Sequence, residues 1–418
     1  MNAIVESVIY QHAENVCSLW LQRQHAVEEP HYSFTDIVHL DNRLDANLEG
    51  LRVAGSHALT FIDEMMDAGD EGACFAKALL SLEAGDRKTF SELIELAGAP
   101  DSNHQLLKEL ESALAWAKPE YLKESVKALL SATDSASIIL GLRTCASHNR
   151  DPGVFLDTHF RSNDPAVRAA VINVAADRAI VEFRHRLSNS VASDTELEQY
   201  ERGRALAMFG EQQKAREILQ ALALGDSSFN SSATALVMLL DDANASRSLL
   251  KKLDALPERE RDVVRGFGLI GDPGAMDWLI AKTSIPVLSR LSGGAITMIS
   301  GIDLADADLE TLQAPDGFED GGLNDSPEDD NVDLDEDEDL PWPDPELVAA
   351  WWNSSPKLPA GKRFLDGREK IQAELMHVLR HGMQRQRNAA AMSLALLKPE
   401  SPYLDTRLPT NKQRAWVS

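Results

Sequence analysis

The chain has 418 residues, 67 of them acidic and 41 basic, and its formal net charge of -26 gives a field that repels phosphate backbones and anionic membrane surfaces. Nucleic acid is therefore not an expected partner. Hydrophobic residues make up 44% and aromatic residues only 6%, which suits a core of Ala and Leu between closely packed helices.

Near the start, Cys17 to His25 reads as a short helix and Glu29-Pro-His-Tyr32 as a Pro-broken linker. Ile37, Leu40, Leu44, Leu48 and Leu51 then recur at helical spacing, and Ser33 with Asp36 has the form of a capping box. Residues 1–70 are expected to be an N-terminal helical cap. From Glu71 the pattern changes to helical hairpins. Ala78-Leu-Leu-Ser-Leu82 is echoed by Ala113-Leu-Ala-Trp-Ala117, and the series runs on through Ile139–Leu142, a turn at Asp151-Pro-Gly153, and Asp164-Pro-Ala-Val-Arg-Ala-Ala170. The clearest echo links Ala205-Leu-Ala-Met-Phe209 to Ala235-Leu-Val-Met-Leu239, and a third copy follows from Phe267 to Ile280. Small and apolar residues on one helix, a tight turn and a second amphipathic helix make the unit of an α-solenoid, expected over 71–305. Gly271-Asp272-Pro273 and Asp151-Pro152 read as joints between helices rather than as active sites.

The solenoid pattern then stops. Asp316 to Asp344 carries fourteen carboxylates and no Lys or Arg, so 306–340 is expected to be an acidic, flexible insertion. Beyond it, Leu340-Pro-Trp-Pro-Asp-Pro345 is extended and Glu346 to Trp352 opens a helix. Arg363-Phe-Leu-Asp-Gly-Arg368 suggests a small hairpin, and Lys370–Arg380 with Gln384–Leu397 give a last helix pair. Residues 341–418 form the expected C-terminal helical cap, with an irregular tail from Pro399. The fold class is thus all-α: an irregular solenoid of HEAT-like hairpins, interrupted by an acidic disordered insertion before a helical cap. Cys17, Cys74 and Cys145 are scattered and form no CxxC pair, so a reducing cytoplasm fits better than a disulfide framework. No export signal or membrane-spanning run is read in the sequence.

The segment Val264–Ile280, with its Val-Arg helix, Gly-Asp-Pro turn and second helix, resembles HEAT-like repeats of the phycobilisome-lyase type. A second resemblance rests on Leu340 to Pro345, Trp351-Trp352, Arg363 to Arg368, Gly382 to Ala391 and Leu404-Asp-Thr-Arg407. Leu19-Trp-Leu21, Pro30-His-Tyr32 and Leu44 to Gly55 complete it. Together they resemble a proteobacterial family of HEAT-like proteins to which no reaction is assigned. The resemblance implies a bacterial cytoplasmic protein encoded among type VI secretion accessory and effector genes, and it carries over no catalytic residue.

The candidate chemistry is sparse. His377 and His381 share a helix face at zinc-ligand spacing, but no Glu follows His377, and a cationic pair at a helix C-terminus accounts for them equally well. Asp333, Asp335 and Asp337 alternate like the opening of a calcium loop. Glu338 stands where that loop needs Gly, and Asp344 where it needs a bidentate Glu, so a solvated tether is preferred. Cys145 and His148 are neighbours in sequence without the further groups of a nucleophile site. No nucleophile elbow or phosphate loop is written in the chain. The expectation is a non-catalytic protein-binding scaffold or adaptor, with no cofactor, no metal, no nucleic acid and no membrane insertion. Its partner-binding candidates are Trp342, Trp351, Trp352, Arg380, Arg385 and Arg387, with the acidic run Asp335, Glu336, Asp337, Glu338 and Asp339 attracting a basic partner surface. The indoles serve core packing as readily as an interface, and the arginines an intramolecular contact as readily as a partner. The alternative is a HEAT-repeat enzyme or ligand-binding protein of the bilin-lyase type, with an apolar groove.

Overall fold

The computed structural model describes residues 5–99, 104–188, 194–240, 242–256, 258–311, 337–355 and 357–417. Most of the expected acidic insertion, residues 312–336 with Asp335 and Glu336, lies outside them. Among the described residues the protein is all-α, its strands being two antiparallel ribbons of two residues a side. It divides into two compact units. Met1–Glu28, Tyr32–Phe209 and Glu400–Ser418 make the first, and Glu29–His31 with Gly210–Pro399 the second.

The first unit opens with α1 (Glu6–Ala26), longer than the short helix expected around Cys17, then α2 (Phe34–Ala54) and α3 (Ser56–Asp67). Ser33 and Asp36 form the expected capping box on α2. The hairpin series follows as α4 (Glu71–Ala84), α5 (Arg87–Ala97), α6 (His104–Trp116), α7 (Pro119–Leu130), α8 (Ser135–Ser147), α9 (Val154–His159), α10 (Pro165–Asp177), α11 (Arg184–Leu187) and α12 (Glu196–Met208). Alternate helices play different parts. The inner row, α4, α6, α8, α10 and α12, packs each helix on the next, and its members are buried on most sides. Val167, Ala169, Ala170, Val171, Ile172, Val174, Ala175 and Ala176 of α10 are all buried. An outer helix such as α5 buries one stripe, Phe90, Leu93, Ile94 and Ala97. Small residues set the close approaches: a Cβ on Gly72 of α4 would stand 2.5 Å from the Cys17 backbone of α1. Aspartates cap the helix starts, with Asp70, Asp86, Asp134 and Asp164 each accepting from a first-turn amide.

The second unit continues the alternation with α13 (Gln212–Leu224), α14 (Asn230–Leu240), α15 (Ala243–Leu253), α16 (Glu260–Ile270), α17 (Met276–Lys282) and α18 (Pro286–Ser300). The three echoed copies each coincide with the end of an inner helix, a turn and the next helix: α12 to α13, α14 to α15, α16 to α17. Then come β1 (Glu310–Thr311) and β2 (Trp342–Pro343), paired together, α19 (Pro345–Ser354), the hairpin β3 (Phe364–Leu365) and β4 (Arg368–Glu369), α20 (Gln372–His381) and α21 (Gln384–Leu397).

The β3–β4 hairpin lies across helix ends. Arg363 donates to the Ile270 carbonyl at 2.8 Å and to that of Met238 at 2.5 Å, while Lys370 donates to Leu269 at 2.9 Å. The Phe364 amide reaches Gly271 at 2.6 Å, and those of Asp366 and Gly367 reach Met298 and Ile299. One short ribbon thus satisfies the C-terminal carbonyls of α14, α16 and α18, groups that a helix cannot pair for itself. Gly271 makes this possible, because its φ of +74° ends α16 and a Cβ there would run into the Phe364 carbonyl.

Candidate protein-binding surface

The candidates read from the sequence lie in the second unit, and the structure distributes them unequally. Trp342 is buried in β2 beneath the Arg290 guanidinium, 4.2 Å from the ring. Trp352 is buried and Trp351 half-buried, their rings tilted at 6.0 Å, in a core with Met276, Leu279 and Val348. Arg387 is fully buried. It donates to the Leu379 carbonyl at 2.9 Å and to the Gln384 side chain, and burial lowers its pKa to about 10. Arg385 is half-buried, 3.7 Å from the Glu29 carboxylate. Arg380 is exposed. Asp337 is buried and accepts from Arg261 at 2.7 Å, whereas Glu338 and Asp339 face solvent. The arginines that are adjacent in sequence therefore do not make one patch, and the indoles are largely spent on packing.

The His377 and His381 rings lie 4.5 Å apart, half-buried and exposed. Cys145 is buried, which lifts its thiol to about 11. Burial also drops His148 to about 4, and its Nε2 lies 2.9 Å from the Leu114 carbonyl oxygen. The two are set for packing, not for a thiolate–imidazole pair.

The tail, expected to be irregular, organises the first unit. Residues 400–409 are without helix or strand, and α22 (Thr410–Val417) follows. The Glu400 amide donates to the Met208 carbonyl at the end of α12, the Tyr403 amide to Asp177 at the end of α10, and the Lys412 ammonium to Ser147 at the end of α8. The tail thus visits three successive inner helices in reverse order. At its far end Arg23 donates to the Arg407 and Leu408 carbonyls at 3.0 Å each. Asp41, which holds Arg23 at 2.7 Å with one oxygen, accepts from the Thr410 amide at 2.7 Å with the other. A carboxylate on α2 thereby caps the start of α22.

Side chains reinforce the main-chain contacts. Arg204 of α12 donates to Asp177 of α10 at 2.5 Å, lies 3.6 Å from Glu201, and stacks its guanidinium over the Tyr403 ring at 5.1 Å. Asn173 donates to Glu201 at 3.1 Å. Burial raises the carboxyl pKa of Asp177 and of Glu201, in each case against the pull of Arg204. Burial opposes the charge on Arg204, yet Asp177 and Glu201 hold its pKa above the ordinary value. On the tail, Asp405 accepts from Arg407 at 3.0 Å and 3.1 Å. Burial brings Lys412 down to about 7. This surface can hold an extended polypeptide through helix-terminal carbonyls, one cation–aromatic contact and ion pairs.

Apart from Asp405 and Arg407, which lie in the Leu404–Arg407 stretch that carries part of the family resemblance, no motif marks these residues in the sequence. The available signal was Glu198-Gln-Tyr-Glu-Arg-Gly-Arg204, a charged run on a helix flanked on both sides by repeats, where charge must be either paired or exposed. Comparison with protein families, with curated proteins and with solved structures finds no match to this chain.

Proposed function

We propose that this chain is a non-catalytic, protein-binding scaffold whose first unit grips an extended segment of its partner. The observation that supports this reading most is the extended course of residues 400–409 across the ends of α12 and α10, held by the Met208 and Asp177 carbonyls and by Arg204. Repeat proteins offer such rows of equivalent helix ends as continuous recognition surfaces. The resemblance to the HEAT-like family with secretion-associated genes supports a partner among the components of type VI effector delivery, with the chain as adaptor or immunity-type accessory. The acidic field favours a partner with a basic surface. Nothing in the described helices is long and apolar enough to cross a membrane.

The test places a photocrosslinking residue at Asn173 and, separately, at the exposed Arg380 of the full chain, in cells of the native host. A single protein captured stoichiometrically through position 173, with capture weakened in an Arg204→Lys chain that keeps the wild-type helical signal, supports the reading. Capture through position 380 alone would locate binding in the second unit and overturn it.

A further inference from the structure

Residues 400–417 are bound to the first unit in the manner of a ligand rather than of a core element. Ser401, Pro402, Tyr403, Asp405 and Leu408 are half-buried and Glu400 and Arg407 exposed, while Leu404, Thr406, Pro409 and Thr410 are buried, as is Gln413 of α22; of the buried side chains only Leu404 is large and apolar. Its anchors are polar and come at intervals: the Glu400 and Tyr403 amides on helix ends, the Tyr403 ring on Arg204, and the α22 start on Asp41. The link that delivers it, Leu397 to Glu400, is exposed throughout. An attachment of this kind can come away without opening the apolar core beneath it, because its anchors are mostly hydrogen bonds to helix-end groups that water replaces once the segment leaves.

We propose that residues 400–417 are a resident ligand, and that the surface beneath them is a binding site for a partner segment of the same form. Such a segment is an extended Tyr-x-Asp stretch leading into a short helix, and it takes the place of the tail. The tail then sets a threshold for binding. A partner must supply more interaction than the cis segment, whose tethering gives it a high effective concentration. This inference rests on the scaffold reading for its biological use, but the site itself is tested without any partner.

A specific protease site is placed at the exposed Leu397–Pro399 link of the full chain, which is then cut after folding. The expected result is that the fragment from residue 399 onward leaves on gel filtration while the remaining helical signal and thermal transition persist. A labelled synthetic peptide of residues 399–418 should then rebind. It should bind the uncut chain at least tenfold more weakly, and the Tyr403→Ala peptide should bind the cut chain at least tenfold more weakly. A fragment that cannot be removed without loss of the helical signal makes the tail a structural element and overturns the proposal. So does a fragment that leaves and fails to rebind. A chain that rebinds its tail yet captures no cellular protein at position 173 keeps the site and loses the scaffold reading, so the two failures are separable.

Discussion

Arg204 and Asp177 form an ion pair at 2.5 Å between residues twenty-seven positions apart, on consecutive inner helices. The same guanidinium faces Tyr403. One side chain therefore joins two repeats and the segment laid over them.

Replacing Arg204 with Met leaves Asp177 and Glu201 buried without their shared cation, and the expected destabilisation is about 3–5 kcal/mol. The sign of its pH dependence follows from the carboxyls. Burial already raises both pKa values, and without Arg204 they rise further. The folded chain then holds protons that the unfolded chain releases, so stability is lost as pH rises out of the ordinary carboxylate range. Urea denaturation should show a smaller deficit at pH 5 than at pH 7.5. Equal deficits would mean that the two acids do not depend on Arg204.

Glu109 of α6 is fully buried beside the Cys74 thiol. Burial lifts its pKa to about 8. Its contribution is fully present below the unfolded value, falls by about 1.4 kcal/mol per pH unit as pH rises toward 8, and is flat beyond. Glu109→Gln should remove this slope and be the more stable chain at pH 8.5. A Gln variant with the wild-type slope would assign the dependence to other groups.

Gly271→Ala should release the β3–β4 hairpin from α16, because the new Cβ meets the Phe364 carbonyl at a backbone conformation that Ala resists. The expected cost is about 2–4 kcal/mol. Hydrogen exchange reads it directly, since the Phe364 amide donates to Gly271. That amide should lose protection while those within α4 keep theirs.

Cys17, Cys74 and Cys145 are buried and free. Burial raises the Cys17 thiol to about 12 and the Cys145 thiol to about 11, and moves Cys74 in the same direction. Ellman's reagent should therefore label none of them at pH 8 until the chain unfolds, and then all three. Labelling of the native chain would show that the cores around them open locally.

The repeat period was legible because it reappears as contact. Arg168 pairs with Glu198 thirty residues on, Arg52 with Glu83 thirty-one on, and Glu111 with Arg143 thirty-two on. Aspartates before helix starts, and the Asp366-Gly367 turn with both φ values positive, were also local signals. The candidate arginines are placed differently for a helical reason. Residues 385 and 387 are 200° apart around α21, so proximity in sequence placed one half-buried and the other in the core. The length of α1 was missed because Gln11, His12, Glu14 and Asn15 interrupt its apolar period. The tail left no periodic trace at all. Its course depends on partners such as Arg23 and Asp41, 384 and 369 residues away from Arg407 and Thr410.

The most direct test of the account is hydrogen exchange at the Glu400 and Tyr403 amides of the intact chain as a function of urea. If the tail is a resident ligand, both amides exchange through a local opening with little urea dependence, far faster than the amides within α10 and α12. If both exchange only with the global unfolding of the unit, at the same free energy and the same urea slope as those helices, the tail is part of the fold and the surface beneath it is not a binding site.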